Sequence, residues 1–342
     1  MMSLLWRAWC SKGLKLVLKR TLLVLVFWSA VFTASAAASP LKKATLMPLW
    51  SPQAQFAGYY VALEKGIYAR HGIDLKILPA GPGYSPEQML KNGGADFAVL
   101  WLTTALRQQA AGTRLVNLAQ MVQRSSLLLI SRKSSGIKSV ADLNGRKVGL
   151  WAGDLSLPPR IIFARQGIAV REVPQSYTVN LFLRGGIEVT SAMWYNEYHT
   201  ILSSGVDGDE LSVIRINEQG IQFPEDGIYT LERNFKKDPA LAKAFVAASL
   251  EGWHYAFDHP DEALEIVIRQ MRAAQLPANR AHQKWMLERM RDLIIPPTAK
   301  GEQGLLNQQE YEAVGQAMRA YGLIKVYPDY RRFTGRSDAG SN

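Results

Sequence analysis

The sequence predicts an α/β protein of two lobes, each a mostly parallel sheet flanked by helices, followed by a helical C-terminal part. Three observations predict it. Short apolar runs of strand length alternate with segments of helical period from residue 44 to residue 216, the pattern of βαβ units. Two joints interrupt the alternation, one polar and glycine-containing at residues 131–136 and one at residues 223–227, so the chain crosses between lobes twice. From Asp238-Pro239 onward only the helical period remains. The expected divisions are a signal segment at 1–38, the first part of lobe 1 at 39–133, lobe 2 at 134–226, a return to lobe 1 with the C-terminal helices at 227–330, and a disordered tail at 331–342.

Residues 1–38 differ from the rest. Arg7, Lys12, Lys15, Lys19 and Arg20 precede an apolar run over residues 22–28, continued by Ala30, Val31 and Phe32 and closed by Ala34-Ser35-Ala36 and Ala36-Ala37-Ala38. A basic start, an apolar middle and an A-x-A exit are the parts of a secretory signal. The apolar segment falls short of the roughly 20 residues that span a bilayer unless the alanines are counted, so cleavage is expected over anchoring. Cys10, the one cysteine, precedes the apolar run, and a chain cleaved there has none. That excludes disulfides, thiol catalysis and cysteine-containing zinc sites. The formal charge of +11 includes these five basic residues; without them 35 basic residues stand against 29 acidic, or +6. No block of consecutive Lys and Arg is present, and nucleic acid is excluded as a partner.

Residues 44–50 read as the first strand. Phe56, Tyr60, Leu63 and Ile67 recur on one helical face, stopped by His71-Gly72, and residues 74–78 form the next strand. In Gly81-Pro82-Gly83-Tyr84-Ser85-Pro86-Glu87-Gln88 the third position of a dinucleotide loop is proline. Ser85 as N-cap, Pro86 at the first helical position and Gln88 as its reciprocal partner account for the segment instead. Residues 96–101 are the third strand, ended by Trp101 before a helix at 103–111, and residues 115–122 the fourth. Beyond the first joint, strands are expected at 147–151, 171–174, 187–194 and 213–216, with helices at 139–145 and 159–166. Residues 228–231 make the return strand. Helices follow at 238–259, 261–273, 279–293 and 308–321, the first carrying Phe245, Ala248, Trp253 and Phe257 on one side.

Two stretches carry the chemistry. Met193-Trp194-Tyr195-Asn196-Glu197-Tyr198-His199 places aromatics, an amide and a carboxylate where a strand runs into a helix, as a crevice at the carboxyl edge of an α/β sheet requires. Trp50-Ser51-Pro52-Gln53-Ala54-Gln55-Phe56-Ala57-Gly58-Tyr59-Tyr60 repeats that texture early in the chain and forms the opposing jaw. Tyr59 and Tyr60 are assigned to the helix core. The five histidines show no metal-binding spacing, and no G-x-S-x-G elbow occurs. No catalytic residues, metal or cofactor are expected.

These stretches, with Lys65-Gly66-Ile67-Tyr68, Gly72-Ile73-Asp74, Gly94-Ala95-Asp96-Phe97 and Asp142-Leu143-Asn144-Gly145-Arg146-Lys147-Val148-Gly149, resemble the periplasmic substrate-binding proteins of ABC importers. The branch is the one shared with thiamine-pyrimidine binders and the eukaryotic pyrimidine synthase, and the likeness runs over residues 41–272. The resemblance implies a type II two-lobe periplasmic binding fold and a periplasmic monomer that delivers a small heterocyclic solute, a thiamine-type pyrimidine, to a membrane permease. In the implied site Trp50 and Tyr195 stack on a flat ring and Glu197 accepts from an exocyclic amine. Gln53 and Asn196 donate and accept, while Phe56, Trp101, Trp151 and Trp194 wall the cleft. Members of this fold also bind flavins, sulfonates and nitrate-like anions, but the jaws offer mainly aromatics and one acid, which disfavours an anion. The synthase branch carries a cysteine-rich motif where this chain has residues 219–229, which contain no cysteine. A synthase-like enzyme and a ligand-sensing module for a signalling partner are the alternative expectations.

Overall fold

The computed structural model describes residues 40–296 and 303–336. The expected signal segment and the end of the expected tail, 337–342, lie outside the described residues. Two five-stranded sheets form the lobes. The first contains β1 (Lys42–Met47), β2 (Ile73–Ile77), β3 (Phe97–Leu100), β4 (Leu115–Gln120) and β10 (Gly227–Leu231), in the order β2-β1-β3-β10-β4. The second contains β5 (Leu127–Arg132), β6 (Lys147–Leu150), β7 (Arg171–Pro174), β8 (Val189–Met193) and β9 (Leu211–Arg215), in the order β7-β6-β8-β5-β9. In each sheet the first three strands in this order pair in parallel. The fourth pairs antiparallel with both its neighbours. That strand is β10 in one lobe and β5 in the other, each the first strand after a crossing, so the lobes share one topology.

The second crossing lies where the sequence placed it, at residues 223–226, but the first does not lie at 131–136. β5 hydrogen-bonds along its length to β8 and β9 and belongs to the second sheet. The first joint is therefore residues 121–126, and the boundary expected at residue 133 moves ahead of β5. Residues 131–136 are instead the end of β5 and a surface turn closed by Gly136 at φ 75°. Both crossings are largely covered: Met121, Val122, Phe223, Glu225 and Asp226 are all sequestered from solvent. Their backbones pair directly. Met121 and Val122 donate to the Asp226 carbonyl at 3.0 and 3.1 Å, and Glu225 N donates to the Val122 carbonyl at 3.1 Å.

The first crossover helix is broken in two. Ala57–Glu64 ends at Gly66, whose φ of 66° only glycine adopts without strain, and Ile67–Arg70 follows. Of the expected face, Phe56, Tyr60 and Ile67 are buried, whereas Leu63 is exposed. Tyr59 and Val61 are buried as well, because the segment is covered on both sides rather than along one stripe. Its outer cover is the long helix Pro239–Asp258, capped by the Asp238 carboxylate accepting from Leu241 N at 2.9 Å. The two helices meet glycine to glycine: a Cβ on Gly252 would stand 2.3 Å from the Gly58 carbonyl oxygen, and one on Gly58 2.3 Å from the Trp253 indole.

The expected tail is ordered at its start. Asp329 caps a short helix, Tyr330–Phe333, and Phe333 is fully buried against Tyr311, with ring centroids 4.9 Å apart. A single aromatic inside a polar segment carries this docking, which is why composition alone misassigned it.

The helix crossing yields a direct test. Gly252→Ala forces the Ala57–Glu64 helix outward and is expected to destabilise the protein by about 1–3 kcal/mol, the usual cost of overpacking. Chemical denaturation reads this as a lower midpoint, and an unchanged midpoint would contradict the close approach.

Candidate functional site

A cavity of about 520 Å³ lies between the lobes. The first lobe contributes the turn after β1, with Leu49, Trp50, Gln53 and Gln55, and the start of the helix Leu102–Ala110, with Trp101 just before it. The second contributes Trp151 after β6, Tyr177 after β7, and the turn after β8 with Met193, Tyr195, Asn196 and Glu197. All these positions follow the carboxyl ends of parallel strands, where loops are free to carry side chains into a crevice.

Seven of the nine residues singled out from the sequence line this cavity: Trp50, Gln53, Trp101, Trp151, Tyr195, Asn196 and Glu197. Phe56 does not. It is fully buried as the last residue of the 3-10 turn Ala54–Phe56, pointing into the first lobe's core. Trp194 is also absent from the lining, since side chains alternate around the strand end and its neighbour Tyr195 takes the inward direction. Trp194 faces a separate groove with Arg124 and Arg215, and the Arg289 guanidinium lies 5.1 Å from its ring centre. Trp50 meets the ring of Tyr177, at 4.6 Å and 57°.

Hydrogen bonds fix the cavity floor. Gln53 Nε2 donates to Gln55 Oε1 at 2.6 Å, and Gln55 Nε2 donates to Asp226 Oδ2 at 2.8 Å. Trp101 Nε1 donates to the other Asp226 oxygen at 3.2 Å. On the facing jaw, Glu197 folds back on its own turn: Oε2 accepts from Met193 N at 2.9 Å and Oε1 from Asn196 Nδ2 at 2.8 Å. Glu225 belongs to the second crossing rather than to the cavity lining. It accepts from Ser125 Oγ and Ser126 N at 2.8 Å and from Ser126 Oγ at 2.7 Å.

Burial raises all three carboxyls. Glu197 is pushed up to about 7 by burial, partly offset by backbone donors including Met193 N. Asp226 rises to about 6 by burial, against the Gln55 and Trp101 hydrogen bonds. Glu225 rises to about 8, through burial first and through the Asp226 charge, against the Ser125 and Ser126 hydrogen bonds. The Tyr195 phenol is raised well above its ordinary value by burial and then by Asp226, Glu225 and Glu197, so it stays a neutral hydroxyl. The lining holds Glu87, Asp154 and Glu197 against Arg107, and Arg107 pairs with Asp154 across the cleft. The cavity therefore has a formal excess of acid. Among the described residues no cluster of His, Cys, Asp and Glu could hold a metal ion, and no helix is long and apolar enough to cross a membrane.

Several cavity residues were not recognised from sequence. Gln55 stood in a quoted stretch and Asp226 in a quoted joint, but nothing in one sequence links residues 171 positions apart. Tyr177, Arg107 and Asp154 sit in unremarkable loop and helix positions and carried no signal.

Comparisons with known proteins identify the family and the fold. The model of the NMT1/THI5-like family matches residues 53–263, and the chain belongs to that family. The chain is similar to the riboflavin-binding protein RibY of Chloroflexus aurantiacus, 24% identical over 85% of this chain and 84% of that one. A formylaminopyrimidine-binding protein of Halalkalibacterium halodurans is 23% identical over 75% of this chain and 79% of its own length. A 4-amino-5-hydroxymethyl-2-methylpyrimidine phosphate synthase of Legionella pneumophila is 28% identical, with 68% and 75% covered. Among solved structures, the periplasmic aliphatic sulphonate-binding protein SsuA of Escherichia coli superposes with a TM-score of 0.63 at 15% identity, over 85% of this chain and 96% of that one. The fold is that of the periplasmic binding proteins.

The hinge acid gives a pH test. Because Glu225 holds its proton to about 8 in the fold and to about 4.5 when exposed, its burial costs stability increasingly as pH rises from 4.5 to 8. Glu225→Gln keeps the serine contacts, Oε1 accepting from Ser125 and Ser126 N and Nε2 donating to Ser126 Oγ. The variant should match the wild type at pH 5 and exceed it at pH 8 by on the order of 2 kcal/mol. A difference in melting temperature that stays constant between the two pH values would refute the shift.

Proposed function

We propose that the chain is the periplasmic solute-binding component of an ABC import system and that its solute is a small aminopyrimidine-type heterocycle held between the lobes. The observation that carries this reading is Glu197, a buried carboxylate whose outer face opens on an aromatic-walled cavity. Each Glu197 oxygen already accepts one hydrogen bond from its own turn and retains lone pairs toward the cavity. A ring with adjacent N–H donors fits that face, with the indoles of Trp50, Trp101 and Trp151 as walls. The excess of acid in the lining supports a neutral or cationic solute over a sulfonate, although the fold is shared with a sulphonate binder. The similar formylaminopyrimidine-binding protein supports the same ligand class.

A flavin is the second reading, supported by the similarity to RibY and by the size of the cavity. An enzyme reading draws on the similarity to the Legionella synthase, and the lack of any cysteine after Cys10 weighs against it. An absorbance band of a bound pyridoxal cofactor in the purified protein would favour the enzyme.

The test is calorimetric titration of wild type and Glu197→Gln with 4-amino-5-hydroxymethyl-2-methylpyrimidine, riboflavin and taurine. Binding of the pyrimidine alone, weakened about 10- to 150-fold in the variant, is expected for loss of a hydrogen bond to a charged group of about 1.5–3 kcal/mol. Binding of riboflavin or taurine in its place overturns the aminopyrimidine assignment and leaves the solute-binding role.

A further inference from the structure

Asn196 connects the ligand-facing carboxylate to a part of the chain that lies far from the cavity in sequence. Its Nδ2 donates to Glu197 Oε1, and its Oδ1 stands 2.9 Å from His282 Nε2. An amide oxygen only accepts, so His282 carries its proton on Nε2. Turning the amide over would set its oxygen 2.8 Å from the Glu197 carboxylate, two acceptors face to face. The neutral His282 ring then offers Nδ1 as an acceptor, and His199 Nδ1 faces it at 2.9 Å and donates. Ser203 Oγ lies 3.3 Å from the same His199 nitrogen. Donor direction is thus fixed along one chain, from His199 to His282 to Asn196 to Glu197.

His282 belongs to the C-terminal helix Arg280–Ile294, which touches both jaws. Gln283 Oε1 accepts from Ala54 N at 2.8 Å and Met286 Sδ from Gln55 N at 3.2 Å, in the first jaw. Trp285 Nε1 donates to the Trp194 carbonyl at 3.1 Å, in the second. The helix packs against both jaws from behind, and His282 is the side chain through which it meets the Asn196 amide.

We propose that His282 is a positioning residue for ligand recognition: it holds the Asn196 amide in one orientation, and thereby keeps the ionised Glu197 carboxylate turned toward the cavity as an acceptor. Ligands that present a pair of N–H donors are selected by this device, and ligands that present acceptors at that edge are rejected. His282 touches no ligand itself. This inference rests on the aminopyrimidine reading of the Glu197 face.

Three proteins test it: wild type, His282→Leu and His282→Gln, all titrated with 4-amino-5-hydroxymethyl-2-methylpyrimidine after thermal melts confirm that each is folded. His282→Leu should weaken binding about tenfold, the scale of one hydrogen bond that orders a charged acceptor. His282→Gln, whose amide N–H donates to Asn196 Oδ1, should restore affinity to within about threefold of wild type. A purely structural role would lower the melting temperature of both variants alike and give no selective rescue. Equal affinity in wild type and His282→Leu overturns the proposal.

If wild type fails to bind the pyrimidine, the ligand reading falls, and nitrogen-15 spectra of the imidazoles in the unliganded protein still decide the relay. A His282 ring protonated on Nε2 together with a His199 ring protonated on Nδ1 supports it. The opposite tautomer at His282 overturns it.

Discussion

Two adjacent buried carboxyls at the second crossing, Glu225 and Asp226, are what the hinge and the cleft are both built on. Glu225 gathers the hydroxyls of Ser125 and Ser126 and the Ser126 amide, tying the returning strand to the departing one. Asp226 gathers Gln55 and Trp101 from the first lobe, while its own carbonyl accepts from Met121 and Val122. Buried carboxyls are tolerated only where donors surround them, and removing one donor leaves a polar group stranded. The position of the cleft floor is therefore set by the hinge turn itself. Gln53 is linked through Gln55 to Asp226, and so to the backbone where the chain crosses between the lobes.

The C-terminal helices complete that arrangement. Without Arg280–Ile294, the turn at residues 53–56 would lose the acceptors of Ala54 N and Gln55 N, and the turn after β8 would lose its contact to Trp285. Trp194 makes sense in this light. It is held between Arg289 of that helix and Arg215 at the end of β9, at 5.1 and 5.6 Å from its ring centre, and so supports the jaw from outside the cavity.

The architecture was legible because it rests on local periodicity. Strands and helices alternate with different apolar periods, and caps such as Ser85 and Asn279 announce helix starts through short-range bonds. Seven cavity residues were legible because strand-to-helix turns at a sheet edge concentrate aromatics and amides in short stretches. What depended on distant pairing was hidden. The first crossing, at 121–126, was missed although it holds Gln123, Arg124, Ser125 and Ser126, because the exposed polar turn at 131–136 with its glycine gives the stronger local signal. Asp226 owes its role to Gln55 and Trp101, and His282 owes its role to Asn196, partners that only folding brings together. Phe56 and Trp194 show the converse error: composition places a residue in the right stretch, but one step along the backbone decides whether it faces the cavity or the core.

The contacts that span the mouth of the cleft bear on how it works. Arg107 pairs with Asp154, and Trp50 meets Tyr177, each pair joining one lobe to the other. The guanidinium is about half exposed, and such an ion pair contributes roughly 0–1 kcal/mol because solvent screens it and both side chains lose freedom. The tilted Trp50–Tyr177 contact, with Tyr177 largely exposed, adds a comparable amount. Together they orient the closed arrangement without holding it firmly. A ligand filling a cavity of about 520 Å³ against three indoles and a buried carboxylate supplies more than either contact. Under the proposed solute-binding role, closure would be governed by the ligand, since a two-state equilibrium shifts only by the differential affinity of what binds. A weakly latched cleft, crossings wired to the floor and a carboxylate oriented from behind are mutually consistent with the proposed solute-binding role.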